Sequence, residues 1–142
     1  MLKLQLGVLD IGYVDGDGAT TTGDVAGYLE DRYHVMRKFA EMNEDFIADT
    51  IADHFAGLIE SVAQGKRVSA TDMMPVMPKI EERFRDALDS GEIHQSLPAE
   101  QQVSESTLKT SSRKKVINQD ASRQAFIDSG QYQASFRAWI TK

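Results

Sequence analysis

The chain has 142 residues, 41% of them hydrophobic, no cysteine and a formal net charge of −6. That length suits a single domain, residues 1–142, with a real core but without walls for a large enzyme cavity, and the apolar content excludes disorder throughout. Without thiols there are no disulfides, thiolate metal sites or cysteine nucleophiles.

Charge is divided along the chain. Residues 1–108 hold 9 Lys/Arg against 20 Asp/Glu, whereas 109–142 hold 7 against 2. The split suits head-to-tail contact between copies, in which an acidic surface meets a basic one, and equally suits two solvated faces of opposite sign. No apolar run is long enough to cross a bilayer, and Met1–Leu6 alternates instead of forming the continuous block of a signal peptide. The expectation is a soluble protein made in the cytoplasm, with no membrane partner.

In chain order, Leu2, Leu4, Leu6 and Val8 alternate with Lys3, Gln5 and Gly7, predicting a strand within residues 1–14. Asp15-Gly16-Asp17-Gly18 reads as a turn. An EF-hand beginning at Asp15 needs a glycine at residue 20 and a glutamate at residue 26, where Thr20 and Ala26 stand. Capping oxygens at Thr20–Thr22 and the acid Asp24 start a helix over residues 24–64. Its stripe is Val25, Leu29, Met36, Phe39, Phe46, Ile47, Ile51, Phe55, Leu58, Ile59 and Val62, and it ends at Gly65. One rod of about 40 residues would be roughly 60 Å long, so it either breaks near Asn43, a second N-cap candidate, or projects onto a neighbouring subunit.

Met73, Met74 and Met77 lie around Pro75 and read as gap-filling contacts beneath a helix. Pro78 opens a short one-sided helix over 78–90, with Ile80, Phe84, Ala87 and Leu88 apolar and Gly91 closing it. Residues 92–125 lose periodicity and read as an extended loop whose basic centre is Arg113, Lys114 and Lys115. Three adjacent cations without interleaved aromatics are a thin signal for nucleic acid, and the acidic remainder repels phosphate. DNA contact is expected only inside an assembly that surrounds DNA. Asp128-Ser129-Gly130 is a turn, and residues 131–141 alternate as a strand with Tyr132, Ala134, Phe136, Ala138 and Ile140 on one face. Gln133, Ser135, Arg137 and Trp139 take the other. Asp128 can accept backbone hydrogen bonds, Gly130 can take positive φ, and the Ser129 and Ser135 hydroxyls can hold the turn to the strand.

Chemistry is not legible. His34, His54 and His94 form no H-E-x-x-H pattern, and neither G-x-S-x-G nor a phosphate-cradling loop occurs. Glu81-Glu82 reads as a solvated helix pair, and His34 and His54 as ordinary helix-face residues. No enzyme activity, cofactor or metal is expected.

Ser104-Glu105-Ser106-Thr107-Leu108-Lys109 followed by Arg113-Lys114-Lys115, with Phe126-Ile127-Asp128-Ser129-Gly130 and Ser135-Phe136-Arg137-Ala138-Trp139, resembles the tail-completion or head-to-tail joining (neck) proteins of tailed bacteriophages, including the virion morphogenesis group. The first stretch looks like the family's S-x-x-T-L-x-x-K segment and the second its "leu-ile-asp-thr-gly" turn and following strand, with Ser129 in place of the usual threonine. The likeness covers about the last 40 residues. It implies a virion protein without catalysis, in a ring of six copies, joined to other neck, connector and tail-tube proteins around a DNA channel. Candidate subunit or partner contacts are Arg113, Lys114, Lys115, Arg137 and Trp139. The alternative is a cytoplasmic adaptor that binds a partner through the long amphipathic helix. In either case the fold expected is α+β, with the N- and C-terminal strands in one antiparallel sheet packed against the long and short helices.

Overall fold

The computed structural model describes residues 1, 3–12, 20–102 and 130–141. It is α+β: strand β1 (Lys3–Val8) pairs antiparallel with β2 (Phe136–Thr141), and helices pack on one face of this two-stranded sheet. The register sets Lys3 opposite Thr141, Leu6 opposite Ala138 and Val8 opposite Phe136. Alternation therefore sends Leu4, Leu6 and Val8 to the core beside Ile140, Ala138 and Phe136. Gly7 and Trp139 share the other face, where a Cβ on Gly7 would lie 2.7 Å from the indole ring.

Between the strands come α1 (Thr22–Tyr33), α2 (Val35–Met42), α3 (Glu44–Ala63), a 3-10 segment (Ala70–Val76), α4 (Met77–Asp89), α5 (Glu92–Gln95) and α6 (Gln131–Ser135). The α1 start follows the capping chemistry: the Thr21 hydroxyl accepts from the Asp24 amide at 3.2 Å, and the Asp24 carboxylate accepts from the Thr21 amide at 3.0 Å. Thr22, fully buried, donates its hydroxyl to the Leu9 carbonyl and accepts from the Ile11 amide at 2.8 Å, tying α1 to the chain leaving β1.

The expected long helix is broken twice. Its first break is at His34, which is not a helix-face residue: it takes φ 53°, ψ 44° between α1 and α2. Glu30 makes this corner workable, because its carboxylate accepts from the Met36 amide at 2.8 Å and the Arg37 amide at 3.3 Å, satisfying donors that the start of α2 leaves open. The second break is at Asn43, as one of the two expectations had it, but not by N-capping. The Asn43 side chain donates backwards to the Phe39 carbonyl at 2.9 Å, closing α2. Helix α3 then runs 20 residues to a Schellman-type end, with Lys66 donating to Ser61 at 3.0 Å and Gly65 to Val62 at 2.9 Å.

The core gathers at α4, the element that lies on the sheet. Phe84 stacks on Phe136 at 3.8 Å between centroids, and Phe39 meets Phe84 edge-on at 5.1 Å, so α2, α4 and β2 meet through three buried rings. The longest helix, α3, rests instead on the 3-10 segment, where Met73 and Val76 are buried, like Met77 at the start of α4, and Met74 faces solvent. His54 shares a hydrogen bond with the Asp72 carbonyl there.

Three boundaries differ from the sequence reading. The first strand is Lys3–Val8, shorter than 1–14. The expected loop 92–125 begins with the helical turn α5, whose Ile93 is buried with Leu97 just beyond it, since two apolar residues four apart reach the core from one turn. Residues 131–135 are helical, so the strand begins at Phe136. Here the Ala134 amide donates to the Gly130 carbonyl at 3.0 Å, leaving Ala134 exposed and burying Tyr132 together with Ser135, three residues on.

Candidate assembly interface

Two features of the described surface are unusual for a self-sufficient domain. The first is α3. Ile47, Ile51 and Leu58 turn towards the body, while the adjoining strip keeps Phe55, Ile59 and Val62 at 38%, 68% and 55% exposure. The expected single core stripe is thus two stripes, of which one is covered. Asp45, Asp49, Asp53 and Glu60 form an exposed acidic ridge beyond the bare strip at helical spacing. Scattered apolar residues are ordinary on a surface, but three neighbours on one helix form a patch of the kind that marks an interaction site.

The second is the sheet, whose two edges are treated differently. Ala138 donates its amide to Glu81 Oε1 at 3.1 Å, so this N–H points away from β1. The Leu6–Ala138 pair is therefore a non-hydrogen-bonded one, and the ladder bonds fall on the alternate residues. Leu9 agrees with this phase, donating to the Ser135 carbonyl at 2.8 Å. On the far side of β2, Glu81 stands 3.8 Å from Arg85, which donates to the Gln133 carbonyl of α6 at 3.3 Å, so α4 caps that edge at Ala138. The outer edge of β1 presents the amides and carbonyls of Leu4, Leu6 and Val8, and among the described residues no hydrogen bond closes it.

Of the residues expected to shape the turn, Gly130 has φ 76° at the start of α6, the left-handed region anticipated for it, and among the described residues no atom beyond its chain neighbours lies within 4 Å of a Cβ built there. Ser135 is buried and donates its hydroxyl to the Tyr132 carbonyl at 2.7 Å, holding the end of α6 instead of an Asp128 turn. Arg137 donates to the Ala134 and Phe136 carbonyls at 2.9 and 2.6 Å, and Trp139 lies over Gly7, so both have intramolecular uses. Asp128, Ser129, Arg113, Lys114 and Lys115 lie outside the described residues, as do Asp15 and Asp17 and the loop stretch 103–125. Sequence reasoning missed Glu81. The pattern makes it half of a solvated pair, but only Glu82 is exposed, because the edge of β2 reaches Glu81 from 57 positions away.

The titratable groups offer little chemistry. The Ser69 amide, and then its hydroxyl, hold the Asp72 carboxyl below its ordinary value, and the Tyr28 hydroxyl beside Arg32 raises that guanidinium. Among the described residues no group of three or more His, Asp or Glu is placed to hold a metal ion, and no helix is long and apolar enough to cross a membrane. No protein-family model, curated protein or solved structure matches the chain.

Proposed function

We propose that this chain is a structural, non-enzymatic subunit of a tailed-bacteriophage virion, a tail-completion or neck component that acts as a homo-oligomer at the head-proximal end of the tail. The observation that carries the assembly part of this reading is the bare strip of Phe55, Ile59 and Val62 on α3, which a lone domain leaves in water. The virion part rests on the resemblance around Ser104–Lys115 and Phe126–Trp139, which also supplies the sixfold ring, the neck, connector and tail-tube partners and the DNA channel. Arg113, Lys114 and Lys115 would then contact a neighbouring subunit or DNA without sequence specificity.

A second reading draws on the same strip. Residues 55, 59 and 62 follow the four-and-three spacing with which a helix fills a partner's groove, as expected of a cytoplasmic adaptor. Electron microscopy of the purified protein, with binding assays against connector and tail-tube proteins, separates the two. Rings that join those proteins, and fail to form in an Ile59→Ser/Val62→Ser variant, support the virion reading. A chain that is monomeric at every concentration and binds none of them overturns it.

A further inference from the structure

We propose that the open edge of β1 pairs with the same edge of a second copy, antiparallel about a twofold axis at Leu6, making a continuous four-stranded sheet across two subunits. An unpaired strand edge is a template for another strand, and α4 caps one edge at Ala138 with the Glu81 carboxylate while, among the described residues, no hydrogen bond closes the other. The occupant follows from the sequence of the edge. Pairing about Leu6 sets Leu6 against Leu6, Leu4 against Val8, Gln5 against Gly7 and Lys3 against Leu9. No like charges meet, and the aliphatic stem of Lys3 crosses Leu9, an exposed apolar side chain at 47%. Because the outward amides and carbonyls belong to Leu4, Leu6 and Val8, this register makes these residues the hydrogen-bonded pairs of the new ladder, using the groups along the strand that no other described residue bonds. The partly exposed faces of Leu4, Leu6 and Val8 then continue into those of the partner instead of ending in solvent.

Such a contact is isologous and closes at two copies. It therefore goes beyond the virion reading: a ring needs a further surface, and the strip on α3 is separate from β1.

Sedimentation across a wide concentration range tests the pairing through three changes. Leu9→Lys places two like-charge pairs in the interface and leaves the backbone alone; it should weaken dimerisation about tenfold, and Lys3→Glu added to it should restore the dimer. Leu6→Pro removes an amide that the β1–β2 ladder does not use, and should give a folded monomer by circular dichroism. Should Leu6→Pro fail to fold, the charge pair carries the test. A chain monomeric throughout, or a dimer that neither Leu9→Lys nor a folded Leu6→Pro variant disturbs, overturns the pairing. The outcomes also separate the two proposals: a monomer that still joins tail and connector proteins sinks only the edge pairing, and a dimer that ignores them sinks only the virion reading.

Discussion

Glu81 on α4 and Ala138 on β2 are joined by a charge-assisted hydrogen bond of 3.1 Å, across 57 positions of sequence. The Glu81→Ala variant loses the acceptor and uncovers a second strand edge. It should be about 1–3 kcal/mol less stable in denaturant titrations, the range for hydrogen bonds to charged groups, and should scatter more light on concentration than the parent.

The corner at His34 offers a paired test. Glu30→Ala leaves the first amides of α2 without their acceptor and should cost about 0.5–2 kcal/mol, as capping losses do. His34→Gly relieves a left-handed conformation at the same corner and should be neutral or stabilising by up to about 1 kcal/mol. Thermal melts of both variants check this; a large loss in His34→Gly would mean that the imidazole itself holds the corner.

At Gly130 the expected cost is wholly conformational. A methyl group meets none of the described residues beyond its chain neighbours, but φ is 76°, so Gly130→Ala should lose about 1–2 kcal/mol. Chemical denaturation measures it, and an unchanged midpoint would show that the turn into α6 has a second conformation available.

The link between Ser69 and Asp72 predicts a pH dependence. Hydrogen bonds from Ser69 depress the folded-state value of Asp72 below its ordinary 3.8, so their stabilisation is complete above that value and fades as the pH falls through the lower folded one. Melting curves from pH 6 to pH 2 should show a gap between the parent and Asp72→Asn that narrows below pH 4.

Much of the architecture was legible because β1 and β2 each have a period of two over six residues and bury one face. The helix breaks were less so. Leu29 and Met36 stand seven apart, two helical turns, on either side of the His34 corner, so the apolar spacing passes through it without a gap and conceals the hinge. A comparable ambiguity hid α6, since Tyr132 and Ser135 are spaced for a helical turn while Tyr132, Ala134 and Phe136 are spaced for a strand, and only the Gly130–Ala134 hydrogen bond decides between them. On α3 the pattern gave which residues are apolar, but burial also needs a neighbour. Only part of the arc found one in the 3-10 segment, and the pattern carries no mark of where cover ends.

The pairing of β1 with β2 also fixes an order of events during synthesis. Gln5 and Thr141 meet across 136 positions, so at roughly 5–20 residues per second β1 waits about 7–30 seconds after leaving the ribosome for its partner strand. The helical middle can compact in that interval, because its contacts are closer in sequence, and β2 closes the sheet last. A strand made well before its partner is thus among the last to be satisfied, and truncations that remove Phe136–Thr141 should leave a nascent helical body with β1 still seeking a strand.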